Sequence, residues 1–201
     1  MHDVTLHDKR NILVVFPNLG DNVDRSNYLN DVYVVCINVY KKSKRVEVIL
    51  ASKTLLSPTV LYSVQKSLKS IFEESIVRIK ITYETDYAIE EVMAKYWKDI
   101  LLVVLCNMII AKAILSNAKY ELDGNNLKIM LTTKGASILL SKKCNTVIES
   151  LIEDYLGKLV RVEFCDYELT TQDRVSYIKE KESEENRVVA KSLKVNESII
   201  S

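Results

Sequence analysis

Imidazoles, thiols and paired carboxylates carry most acid–base, covalent and metal chemistry in proteins. The sequence has two histidines, His2 and His7, both in a polar amino-terminal stretch without an apolar pattern to hold them in a catalytic geometry. The four cysteines, Cys36, Cys106, Cys144 and Cys165, lie 70, 38 and 21 positions apart, with no C-x-x-C pair and no histidine close by. Such spacing speaks against a structural zinc site and against a secreted disulfide framework. The expectation is four buried free thiols in a reducing cytoplasm. No H-E-x-x-H or nucleophile elbow occurs, and Gly20, Gly124, Gly135 and Gly157 never approach the spacing of a phosphate-binding loop. Catalytic residues, cofactor sites and metal ligands are accordingly read as none.

Basic side chains are the remaining candidates. Lys41, Lys42, Lys44 and Arg45 form the densest run and are candidate contacts to nucleic-acid phosphates, with Lys142 and Lys143 as a second pair. The same four bases also suit a solvated hairpin turn. Globally, 28 basic residues against 27 acidic leave a formal charge of +1, so no overall field draws the chain to nucleic acid or anionic lipid. Trp97, the single tryptophan, sits beside a long apolar run and reads as a core anchor.

The elements that would position these residues follow from periodicity. The 201 residues are 48% hydrophobic and 27% charged, the composition of a folded protein of one large or two small domains. Residues 11–16 suggest a short helix. The β-branched run 32–40 and its partner 45–50 read as strands joined by a turn at 41–44. Ser57-Pro58 is a helix start, because Pro lacks an N–H that would be orphaned there, and the helix is expected to run to about Glu74. Its apolar stripe is Leu61, Val64, Leu68, Ile71 and Phe72. Alternation predicts a strand over 76–83, completing a β-β-α-β unit.

Asp86 is the expected cap of a long helix from Ala88 to about Asn117. It carries the apolar run 100–111, which is too short and too interrupted to span a bilayer. Strands flank the turn signal Asp123-Gly124-Asn125. A helix over about 134–156, ended by Gly157, and a strand over 159–164 follow. The result is an α+β protein of two small domains, 1–85 and 86–168, the second with a K-homology-like α-β-β-α-β order, and a charged connector or helix over 169–201. The amino terminus lacks the features of a signal peptide, so the expected location is cytoplasmic, with no membrane partner.

Three stretches of the second unit, Tyr96-Trp97-Lys98-Asp99-Ile100-Leu101, Leu122-Asp123-Gly124-Asn125-Asn126-Leu127-Lys128-Ile129 and Gly157-Lys158-Leu159-Val160-Arg161-Val162, resemble a known pattern. So do Lys42-Ser43-Lys44, Leu55-Leu56-Ser57-Pro58 and Ile79-Lys80-Ile81-Thr82-Tyr83-Glu84 in the first, and the charged stretch from Lys179 to Arg187. Together they resemble the amino-terminal region of PolC-type DNA polymerase III alpha subunits of low-GC Gram-positive bacteria, over roughly residues 10–190. The resemblance implies that these residues are the front of a longer polymerase. Its oligonucleotide-fold, phosphoesterase-like, exonuclease and polymerase domains are not in the 201 residues, so no catalytic carboxylate or metal ligand carries over. Residues 88–166 are also similar to the carboxy-terminal domain of the clamp-loader tau subunit, which implies protein docking.

Val103, Val104, Leu105, Ile109 and Ile110 are apolar where that family would tolerate polar residues. Either they are buried against the first unit or they form an interface. The leading functional expectation is a non-catalytic docking region for replisome proteins, clamp-loader tau or another replication protein. The alternative is a K-homology-like module for single-stranded nucleic acid. No G-x-x-G occurs anywhere, and that loop is the backbone clamp such modules use.

Overall fold

The computed structural model describes residues 9–21 and 27–166. His2, His7 and the expected charged connector 169–201 lie outside them.

The first half is built on a four-stranded sheet in the order β1-β2-β3-β4, comprising β1 (Arg10–Asn11), β2 (Val32–Tyr40), β3 (Arg45–Ser52) and β4 (Ile76–Tyr83). Strands β2 and β3 are antiparallel, whereas β3 and β4 are parallel and therefore need a crossover, supplied by helix α2 (Pro58–Ile71). The expected β-β-α-β unit is present, preceded by β1 and by helix α1 (Ile12–Val15). The Asn11 side chain starts α1 by accepting from Leu13 N at 2.9 Å, and its amide donates to the Asn30 carbonyl at 2.7 Å. Helix α2 begins as the Ser-Pro signal requires, with Ser57 Oγ accepting from Thr59 N at 3.2 Å. Leu61, Val64 and Leu68 are buried on its inner face. The helix ends three residues before Glu74: Phe72 is its cap and packs edge-on against Phe16, which leaves Ile71 43% exposed.

The second half holds a three-stranded sheet, β5 (Lys119–Asp123), β6 (Asn126–Met130) and β7 (Arg161–Cys165), in that order. Strands β5 and β6 form the expected hairpin, and β6 and β7 are parallel. Gly124 provides the positive φ of the turn, +55°. The long helix expected over 88–117 is two helices, α3 (Ile89–Asn107) and α4 (Ile109–Leu115), because Met108 adopts an extended conformation between them. The helix expected over 134–156 is likewise divided into α5 (Ala136–Ser141) and α6 (Cys144–Leu156), with Lys143 in the left-handed region at φ 56°. Gly157 ends α6 as expected, at φ 65°. Asp86 does not cap α3. Ala88 occupies the cap position, and the Asp86 carboxylate, almost fully exposed, instead meets Lys158 Nζ at 2.5 Å.

One buried apolar cluster runs through both halves, from Ile12 and Leu50 to Leu127, Ile129 and Val162. Helix α6 is the joint, packing on β4 of the first sheet, β7 of the second, and α3. Trp97 is a core anchor as read: its indole N–H donates to the Ala118 carbonyl at 3.1 Å, and its ring lies 4.9 Å from that of Tyr120. No helix among the described residues is long and apolar enough to cross a membrane.

Candidate functional site

The basic run is split by its own geometry. Lys41 and Lys42 stand exposed on a single 3-10 turn, and Lys44, left-handed at φ 47°, pairs with Glu74 at 3.2 Å. Arg45 has turned inward: its guanidinium lies 4.4 Å from the centre of the Tyr40 ring, and its Nε is buried with no partner among the described residues. Three lysines thus face solvent while the arginine packs on the hairpin. Lys142 and Lys143 are placed on a different element, the turn between α5 and α6, and both are exposed.

The strongest polar constellation joins the two halves and was not legible in the sequence. Arg78 of β4 donates from Nε to Asp154 Oδ2 at 2.5 Å and from its terminal nitrogen to Oδ1 at 2.9 Å, a two-pronged pair. Asp154 is 7% exposed. Burial pushes its carboxyl above the usual range, against the pull of the guanidinium, and the same hydrogen bonds hold Arg78 above its ordinary value. Nearby, Tyr83 Oη donates to the Tyr155 carbonyl at 2.7 Å, and Tyr155 Oη donates to Gln65 Oε1 at 2.8 Å. Burial raises both phenols well above their ordinary values, so neither is an acid or base near neutral pH. A cavity of about 310 Å³ opens here, lined by Gln65, Arg78, Asn107, Thr146, Ser150 and Asp154. Its charged groups are committed to each other. The arrangement locks one half to the other and presents no free acid–base pair.

A second depression, about 500 Å³, lies between α2 and α3, lined by Thr59, Tyr62, Ser63, Lys66, Leu102 and Cys106 among others. Cys106 departs from the expectation of buried thiols because its position near the end of α3 faces this open groove, and it is exposed. Cys36 and Cys165 are half-buried. Cys144 alone is buried, and burial raises its thiol pKa, which keeps it unreactive.

The apolar run for which two alternatives were open is buried in one part and exposed in the other. Val103 and Val104 are buried, and Leu105 is half-buried against the core. Beyond the Met108 break the chain turns, leaving Ile109 86% and Ile110 45% exposed. Ile138 and Leu140 of α5, at 45% and 49%, are exposed as well.

The chain matches two family profiles. The family described as DNA polymerase III polC-type N-terminus I matches residues 11–83, and that described as DNA polymerase III polC-type N-terminus II matches residues 95–201. Between them they leave out only residues 1–10 and 84–94. A search of curated proteins gave no match.

Proposed function

Because the chain belongs to the amino-terminal family of PolC-type DNA polymerase III, which serves DNA replication, we propose that it is a non-catalytic docking region that holds replication proteins, such as clamp-loader tau, by surface complementarity. The observation that carries this reading is Ile109, a large β-branched side chain 86% exposed beside a core with room for Val103 and Val104. Water contact with such a group is unfavourable, and contiguous exposed apolar surface marks interaction sites. The locked junction of Arg78, Asp154, Tyr83 and Tyr155 supports the reading too, since a pre-organised surface loses less freedom on binding. The α-α-β-β-α-α-β order of residues 89–165, in which each helix of the expected α-β-β-α-β unit is divided and β7 runs parallel to β6, supports the likeness to a K-homology-like unit and to the tau carboxy-terminal domain.

Sedimentation velocity tests the proposal. The 201-residue chain is mixed in turn with clamp-loader tau, replicative helicase and single-strand-binding protein. A co-sedimenting complex with at least one at micromolar concentration is the expected result. Migration of the chain alone in every mixture would overturn it.

The second reading, single-stranded nucleic-acid binding, is favoured by one observation: α5 and α6 meet at Lys142 and Lys143, both exposed. With Lys41, Lys42 and Lys44 they would contact phosphates. It requires affinity for oligo-dT that falls steeply from low to physiological salt, because each phosphate contact releases counterions.

A further inference from the structure

Between Asp99 and Glu149 the only carboxylates are Glu121 and Asp123, both on the β5–β6 hairpin, where Glu121 stands opposite Lys128. The flanking stretches 100–120 and 124–148 carry no acid at all. The fold brings them together. Gly135, just before α5, lies so close to Ile114 near the end of α4 that a methyl group in place of its hydrogen would stand 2.7 Å from Ile114 Cγ2. Ile110 precedes Ile114 by four residues and Ile138 follows Gly135 by three, so each lies within about one helical turn of that contact. Ile109 and Leu140 are exposed in the same two helices.

Helix α4 and the ends of α5 also carry Lys112, Lys134, Lys142 and Lys143, all exposed and, among the described residues, without ion-pair partners. Of the other described lysines, Lys44, Lys80 and Lys158 pair with Glu74, Glu47 and Asp86, whereas most, such as Lys41, Lys42 and Lys53, do not. The one carboxylate that reaches this region, Asp166, is engaged by the Gly135 and Ala136 N–H groups beside Lys134. An apolar centre with a mainly basic rim is the form of a protein-binding surface whose partner bears the opposite charge. Proteins that hold single-stranded nucleic acid without a backbone clamp commonly offer aromatic faces for its bases to stack on. The aromatic side chains nearest in the chain, Trp97 and Tyr120, are instead packed against each other.

Building on the docking reading above, we infer that the α4–α5 surface is the docking face and that its ligand is an acidic protein segment carrying large aliphatic or aromatic side chains. The apolar groups of the segment cover Ile109, Ile110, Ile138 and Leu140, while its carboxylates meet the four lysines.

Selection from a random peptide display library on the immobilised 201-residue chain tests this with no partner assumed. The expected pool is enriched in Asp and Glu together with Leu, Ile or Phe. Binding of its commonest member should fall about tenfold or more in Ile109→Ser/Leu140→Ser. In Lys112→Glu/Lys142→Glu, binding should weaken and lose most of its salt dependence. All four positions are exposed, and unchanged far-UV circular dichroism would confirm the fold. A pool without acidic enrichment, or binding indifferent to both variants, would overturn the inference. So would an outcome in which only oligo-dT or phosphatidylglycerol vesicles bind and the lysine reversals abolish it. A replication-protein complex that survives Ile109→Ser/Leu140→Ser would leave the docking reading standing and remove this face. An acidic-peptide site without any replication-protein complex would do the reverse.

Discussion

Arg78 and Asp154 are 76 positions apart in the chain yet form its most intimate charged pair. Neither residue looks unusual in sequence: Arg78 is one polar position of an alternating strand, and Asp154 one acid on a helix. Their partnership depends on how α6 crosses β4, which no local pattern encodes. The two sides of the pair are not equivalent. Arg78→Ala strands a carboxylate that is 7% exposed, and we expect a loss of about 2–3 kcal/mol. Asp154→Ala leaves a guanidinium whose side chain is 34% exposed and can turn to water, so about 1 kcal/mol is expected. Urea unfolding of both variants measures the order. The Arg78→Ala deficit should also shrink as pH falls. Burial already raises the folded-state pKa of Asp154, removal of the guanidinium raises it further, and a raised carboxyl stabilises the fold when protonated. Among residues read from sequence, Trp97 was legible because burial of a lone aromatic beside an apolar run is a strong local signal. Cys106 was not, because its exposure depends on a groove between two helices.

At the scale of elements, the hairpin of β2 and β3, the Ser-Pro start of α2 and the Asp-Gly turn between β5 and β6 were legible. Each is specified by neighbours within a few residues. The breaks at Met108 and Lys143 were not, because neither position carries the glycine or proline that marks a helix end in sequence. The start of α5 shows the same limit. Its backbone N–H groups at Gly135 and Ala136 donate to Asp166 Oδ1 at 2.7 and 2.8 Å, across 31 and 30 positions of chain. Those hydrogen bonds hold the Asp166 carboxyl below its ordinary range. A depressed folded-state pKa means that the stabilisation is present above the unfolded value and is lost as pH falls through the folded one. Hydrogen exchange of α5 amides should therefore be flat between about pH 5 and 8, after correction for intrinsic rates, and protection should fall below about pH 4. Asp166→Asn should remove the pH dependence. Protection that persists unchanged to the lowest pH in the wild type would show that the cap contributes nothing.

At the scale of the molecule, two sheets were legible from their strand patterns, and the family from stretches spread over both halves. The continuity of their core was not, since a helix stripe that covers a neighbouring sheet looks the same as one that covers its own. The buried cluster, the Arg78–Asp154 pair and the hydrogen bonds of Ser57 with Asp99 and of Tyr96 with the Leu55 carbonyl all cross between halves. We therefore expect residues 9–166 to unfold in one transition, with Trp97 fluorescence and far-UV circular dichroism coinciding in urea. Separated transitions would show the halves to be energetically independent.

Replication proteins docked on the α4–α5 face, as proposed, would come within reach of its lysines. Lysine-directed cross-linking and mass spectrometry, on the 201-residue chain mixed with clamp-loader tau, helicase and single-strand-binding protein, reads this out, because Lys112, Lys134, Lys142 and Lys143 are exposed on or beside α4 and α5. Intermolecular cross-links from those four lysines to one of the added proteins are expected, and few from Lys41, Lys42 and Lys44. Intermolecular cross-links that avoid the four, or none at all, would contradict docking on that face.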